Sequence, residues 1–223
     1  MSLKLFFEAI LKFLLGVVLV GFLIFIPAGS LNYFNGWVFM GILFIPMFLA
    51  GVIMMIRNPK LLVSRLNSKE KQKEQGFVIK LSGLMFIIGF ILAGLDYRFN
   101  WVKLPNVVSI IAAIVFLLAY IMWAVVLIQN TYLSRTIKVV ENQKVIDTGL
   151  YSVVRHPMYT ATIFLFLSMP LVLGSIISLF IFLLYPGIIV IRILNEEKFL
   201  EKELEGYIDY KQKVKYRLIP FIW

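Results

Sequence analysis

Arg155-His156-Pro157-Met158-Tyr159 opens an apolar stretch, and Arg192-Ile193-Leu194-Asn195-Glu196-Glu197 closes it about 35 residues later. Between these polar clusters the chain is almost wholly Leu, Ile, Phe and similar residues. A hydrocarbon core roughly 30 Å thick takes about 20 helical residues to cross, so this length suits a helical hairpin with both ends on one face. Pro157 fits the first turn of such a helix, where its missing N–H has no intrahelical partner to lose. Pro170 and Leu173-Gly174-Ser175 end the first arm early, and Pro186-Gly187 interrupts the second. A proline inside a helix removes a hydrogen bond and bends the axis, so a short or bent hairpin is expected.

The rest of the chain supports a membrane reading. Its 223 residues are 61% hydrophobic with a mean hydropathy of +0.92, against about 45–50% apolar residues in soluble domains. Apolar runs lie near Leu5–Ile26, Trp37–Ile56, Phe77–Leu95, Asn106–Ile128, Met158–Val172 and Ser178–Leu194. Lipid offers no partner to free backbone groups, so such runs form helices or closed barrels. Continuous apolar runs, without ten-residue alternation, exclude a barrel. The expected fold is an all-α integral membrane bundle of five to six transmembrane helices, with a C-terminal helical hairpin and a cofactor pocket facing the cytoplasm.

The net charge of +10 is topological. Lys4 and Lys12 fall at the N-terminal end, seven Lys or Arg in Arg57–Lys80, four in Arg135–Arg155 and seven in Arg192–Arg217, leaving only Arg98 and Lys103 for the other side. That asymmetry follows the positive-inside rule and puts both termini in the cytoplasm. Anionic membrane lipids, and not nucleic acid, are the partners it suits. There is no cysteine and one histidine, so disulfides, a thiolate nucleophile and a multi-histidine metal site are excluded. No small-residue cleavage pattern follows Ile26, and the first run is read as retained.

The connectors look plain. Asn58–Gln75 reads as a solvated charged loop, and Tyr33, Trp37, Trp101 and Tyr132 read as an interfacial aromatic belt. Beyond Glu197, the spacing of Phe199, Leu200, Leu204, Tyr207 and Ile208 predicts an amphipathic helix on the membrane surface or against the hairpin, ended or bent at Gly206. The first four runs carry almost no interior charge, whereas transporters and pumps usually hold ionisable groups near mid-membrane. The chemistry is therefore expected at the cytoplasmic edge.

Arg155 and His156 directly precede a helix N-terminus, whose partial positive charge and spare N–H donors suit an electronegative ligand, or simply an interfacial helix start. Arg192 and Glu196 are four apart and share a helix face, in the less favourable order for a helical ion pair. Local helix stability does not explain them; a ligand held by a carboxylate and an arginine does. The competing reading is a helix running on to Glu205 with a solvated acidic face. Gly149 in Asp147-Thr148-Gly149 either admits a ligand close to the backbone or only permits a turn.

Together, Gly149-Leu150-Tyr151, Arg155-His156-Pro157-Met158-Tyr159, Glu196-Glu197 and Tyr207-Ile208-Asp209-Tyr210 resemble the isoprenylcysteine carboxyl methyltransferase family, in its bacterial branch and related to phospholipid N-methyltransferases. The resemblance covers about Thr131–Trp223. Ala161 stands where the family often has glycine, and the tail between Leu200 and Tyr207 is one residue shorter than in eukaryotic members. The resemblance implies a cytoplasmic-membrane enzyme that uses S-adenosylmethionine and a small-molecule or lipid methyl acceptor, with no metal. It implies that Tyr151, His156, Pro157, Met158, Tyr159 and Glu196 bind the cofactor, that Gln143, Lys144, Val145 and Ile146 add backbone contacts, and that Arg192 faces the acceptor. The chain would then be one membrane domain, with 1–105 as helical scaffold and 106–223 as the methyltransferase-like module. A carboxylate acceptor needs no base; an amine would need one, and His156 and Glu197 are the candidates, which with Arg192 complete the catalytic set. A membrane reductase of the sterol or enone type, binding NADPH, and a non-catalytic lipid-binding protein are the alternatives.

Overall fold

Every described apolar run satisfies its backbone as a helix. The computed structural model describes residues 3–66, 73–133, 137 and 139–223. Its helices are α1 (Leu3–Ala28), α2 (Phe34–Arg57), α3 (Pro59–Leu66), α4 (Lys73–Phe99), α5 (Asn106–Gln129), α6 (Pro157–Val172), α7 (Ile176–Phe182), α8 (Leu184–Glu203) and α9 (Tyr207–Lys213). Five segments are long and apolar enough to cross a membrane: Leu5–Ala28, Phe34–Arg57, Gly76–Phe99, Asn106–Gln129 and Ile176–Glu203. The helix α6, at 16 residues, rises only about 24 Å and is the short arm of the hairpin.

The hairpin turns where its prolines and glycine predict. Gly174 adopts φ +77, a left-handed conformation that costs glycine little. Ser175 then caps α7 by accepting from Ser178 N at 3.1 Å. The break between α7 and α8 falls at Leu183, three residues before Pro186. Pro186 has no N–H for the Phe182 carbonyl and its ring crowds that carbonyl, so the helix gives way just upstream of the proline.

At the centre stands α4, packed on α1 along one side and on α7 and α8 along the other, while α6 lies along α5. A Cβ on Gly94 would sit 2.5 Å from the Ile24 carbonyl oxygen, so the α1–α4 approach needs glycine there. Phe39, Phe86, Phe90, Phe116, Phe166 and Phe182 fill the middle, with ring centroids 4.7–6.2 Å apart.

Two connector readings change. Asn58–Gln75 is not a plain solvated loop: its first part is α3, with Leu61 and Leu62 buried. The charged run at 69–72 lies outside the described residues. Tyr33 is not a lipid anchor, being 2% exposed, stacked on Tyr97 and donating to the Leu173 carbonyl. Trp37 and Trp101 remain exposed, as a belt requires.

Candidate functional site

The start of α6 is held by the chain's tail. Arg155 N donates to Tyr216 O and His156 N to Arg217 O, both at 2.9 Å, and Thr160 Oγ1 donates to Leu218 O at 2.8 Å. His156 is the N-cap and Pro157 the first helical residue. The Arg155 side chain runs inward, with Nη1 donating to the carbonyls of Val214 (2.7 Å) and Lys215 (2.8 Å).

Glu197 closes this joint. Its Oε1 accepts from Arg155 Nε at 2.7 Å and lies 3.2 Å from His156 Nε2. Its Oε2 accepts from Arg217 Nε at 3.0 Å. The residue is 3% exposed, a burial that a carboxylate tolerates only when its oxygens are satisfied. One acid thus ties α8 to the entrance of α6 and to the tail.

Beside it, Tyr159 sits between the other two polar residues of α8. Arg192 Nε donates to Tyr159 Oη at 2.8 Å, and that hydroxyl donates to Glu196 Oε2 at 2.5 Å. The i,i+4 spacing puts Arg192 and Glu196 on one face, and the phenol from α6 joins them. The two polar clusters that bound the hairpin therefore meet at one place. The continuous acidic helix does run to Glu203, but Glu197 is buried and not solvated.

Around these groups lies a cavity of about 500 Å³, within the roughly 300–1,000 Å³ of small-molecule sites. Gln143, Lys144, Val145, Ile146, Tyr151, His156, Met158, Tyr159, Arg192 and Glu196 all line it. Pro157 and Glu197 do not, so Pro157 sets the helix start and Glu197 stands behind the wall. Among the described residues no three His, Asp or Glu side chains gather as a metal site.

Several wall residues escaped the sequence reading. Arg65 of α3 lines the cavity, with Nη2 3.5 Å from Met158 Sδ and its guanidinium 5.6 Å from the Trp123 ring centre. It lay hidden among basic residues that topology already explained. Tyr132 lines the cavity too, where a belt role was expected. Val78, Ile79, Gly83 and Phe86 of α4 form an apolar wall together with Phe166 and Ile189, so the site draws on the N-terminal half of the chain. No chemical motif marks those residues.

Small contacts fix the rim. Gly149 has φ +60, and a Cβ there would meet Gln129 Nε2 at 2.4 Å, so this glycine serves the turn. Gln129 Oε1 also accepts from Leu150 N at 3.0 Å. Asn130 Nδ2 donates to Tyr151 Oη at 3.2 Å, and Tyr210 Oη donates to Tyr151 O at 2.8 Å. Burial pushes the phenols of Tyr151, Tyr207 and Tyr210 above the ordinary range, which keeps all three as hydroxyl donors at neutral pH. Lys213 pairs with Asp147 at 2.7 Å, and its hydrogen bond and charge lower the Asp147 carboxyl.

The model of the isoprenylcysteine carboxyl methyltransferase (ICMT) family matches residues 107–202. Among solved structures, the chain is similar to the eukaryotic intramembrane Ras methyltransferase ICMT, with a TM-score of 0.54 and 18% identity over 99% of this chain and 85% of that one. At that identity the likeness is one of fold. No curated protein matches the sequence. The matched segment contains Tyr151, the Arg155–Tyr159 cluster, Arg192, Glu196 and Glu197, the residues whose geometry builds the site. Residues 107–202, the part of the chain that builds the site, are thus similar to the isoprenylcysteine carboxyl methyltransferase family.

Proposed function

We propose that the protein is an S-adenosylmethionine-dependent methyltransferase that esterifies the carboxylate of a lipid or other amphiphile at the cytoplasmic face of a bacterial membrane. One observation carries this reading: the two polar ends of the hairpin share a single cavity through the Arg192–Tyr159–Glu196 bridge. The family similarity supports methyl transfer, and the loop charges support the cytoplasmic side.

The lining suits the donor. Glu196 uses acceptor capacity on Tyr159, and a carboxylate offers further lone pairs for ribose hydroxyls or an ammonium group. Tyr151, His156, Met158 and the 143–146 segment supply aromatic, thioether and backbone surface. When bound, S-adenosylmethionine supplies a sulfonium-activated methyl group. The task left to the chain is to align the acceptor and keep water out, which supplies several kcal/mol through positioning alone.

The placement of the basic groups favours a carboxylate acceptor. An amine or alcohol would have to lose a proton. His156 presents Nε2 to Glu197, and Glu197 is held by Arg155 and Arg217 behind the cavity wall. The Glu197 carboxylate is engaged on both oxygens, and Glu197 is assigned as a positioning residue. A carboxylate is already ionised at neutral pH. Arg192 is the cation assigned to it, and the apolar wall of α4 and α6 receives its hydrocarbon part. Residues 1–105 thus contribute α4 to the acceptor side, and residues 106–223 supply Arg192, α6 and the donor side.

The test is to incubate membranes containing the protein with methyl-labelled S-adenosylmethionine and extract the lipids. Label released as methanol by mild base is expected, and it should vanish in Glu196→Ala. Base-stable label in an amine headgroup would overturn the carboxylate reading.

A further inference from the structure

The tail at 216–223 lies beyond the matched family segment and closes on itself as a loop. Ile222 N and Trp223 N both donate to Ile219 O at 3.2 Å, while Arg217 N and Leu218 N donate to Trp223 O at 2.9 Å. The tip of this loop is strained. Phe221 takes φ +65, a left-handed conformation that a bulky side chain rarely adopts. It leaves Phe221 87% and Ile222 75% exposed, although the same loop buries Leu218 in the core and packs Trp223 against it. Two large apolar side chains held outward on a closed loop need an apolar medium to receive them.

The backbone register sets the depth of that tip. Tyr216 O and Arg217 O accept from Arg155 N and His156 N, and Leu218 O accepts from Thr160 Oγ1. The loop is therefore level with the first turn of α6. Phe164 follows Thr160 by four residues on the same helix face. It lies about 6 Å further along the axis and is 49% exposed, so this face of α6 looks into lipid. The stem leading to the loop is basic: Lys211, Lys213, Lys215 and Arg217 fall between Tyr210 and Trp223, and no acid does. Lys211, Lys213 and Arg217 pair with carboxylates of the fold, and Lys215 is exposed beside the loop. An apolar tip on a basic stem is the pattern of an interfacial anchor.

We infer that this loop is a lipid wedge: Phe221 and Ile222 enter the acyl boundary of the leaflet on the cavity side, with Lys215 among anionic headgroups. The stem of the wedge holds the entrance of α6 and, through Arg217, the Glu197 carboxylate. Seating in lipid therefore braces the back of the cavity. Insertion needs no bound ligand, so it stands apart from the methyltransferase reading.

Two measurements on the full-length protein, in nanodiscs of phosphatidylethanolamine and phosphatidylglycerol, test the wedge. Phe221→Cys carrying an environment-sensitive fluorophore should be quenched by lipids with a nitroxide in the acyl chain and shielded from aqueous iodide. Gln212→Cys, at an exposed position of α9, should show the opposite pattern. Quenching of the Phe221→Cys probe by iodide would overturn the inference. Shielding from both quenchers would overturn it too, since the loop would then be covered by protein, such as a second copy of this chain. The second measurement uses Phe221→Gly, which relaxes the backbone and removes the apolar tip. Trypsin should cut after Lys215 or Arg217 about tenfold faster in this variant than in the wild type, the factor that burial of one apolar side chain commands. A purely local role for Phe221 predicts equal or slower cutting, because the strain is gone, and either result would contradict the wedge.

Discussion

Glu197 carries its charge where an unpaired carboxylate would be costly, and everything around it answers that cost. Arg155, His156 and Arg217 surround it, and they come from the α6 entrance and the tail. Removing one partner of a buried ion pair costs about 3–5 kcal/mol. Glu197→Ala should therefore lower thermal stability in detergent by a large margin, with the tail becoming open to protease. A variant that melts like the wild type would show that the joint carries no load. Glu196 and Arg192 should behave differently, because they face the cavity. Glu196→Ala is expected to weaken S-adenosylhomocysteine binding by tenfold or more with little change in melting. Arg192→Ala should lose turnover and keep most donor affinity, which paired calorimetry and activity assays would separate.

At this scale the sequence was legible wherever a residue was chemically conspicuous. A lone His before Pro and an Arg-x-x-x-Glu in the wrong order for a helical pair both stand out. What pairs with what was not legible. Glu196 and Glu197 are adjacent and identical, yet their Cβ atoms point about 100° apart on the helix. One lines the cavity and the other stands behind its wall. Which is which depends on the rotation of α8 against α6, and that is set by packing. Arg65 was invisible for a related reason: it sits in a segment whose composition already had an ordinary explanation.

Among the elements, α4 carries the largest consequence not expressed in any motif. Gly83 lines the apolar wall, and a Cβ there meets nothing within 4 Å, so a larger side chain can grow into the cavity without disturbing helix packing. Gly83→Phe should leave folding and S-adenosylhomocysteine affinity near wild type while lowering methylation of long-chain acceptors more than short ones. Equal loss across chain lengths would remove α4 from the acceptor wall. Gly89 and Gly94 are different cases, since a Cβ there would meet Phe182 at 2.3 Å and the Ile24 carbonyl at 2.5 Å. The helices themselves were readable from apolar run length. Their ends were less so: α8 outlasts its apolar run by nine residues, from Leu194 to Glu203, because its polar groups are satisfied by neighbouring elements. The amphipathic tail was anticipated, and Gly206 at φ +79 makes the turn into α9.

For the whole molecule, four long helices and a hairpin with a short arm bring both chain ends to the side that holds the cavity. On the proposed reading, the charge asymmetry puts that side in the cytoplasm. The chain contains no cysteine, so single-cysteine variants report orientation directly. Lys103→Cys should react with a membrane-impermeant maleimide in intact cells, and Lys202→Cys only after permeabilisation. The reverse pattern would put the site on the outer face. The long apolar helices were legible at this scale, since hydropathy and run length mark them. The shape of the cavity was beyond reach, because α3, α4, α6, α8, α9 and the 143–146 segment each give only a few residues to it.

The most direct measurement is a calorimetric titration of the purified, detergent-solubilised protein with S-adenosylhomocysteine and, separately, with NADPH. A single saturable site for S-adenosylhomocysteine, weakened in Glu196→Ala, and no binding of NADPH are the expected results. Binding of NADPH with no response to S-adenosylhomocysteine would contradict the assignment and make the cavity a reductase site.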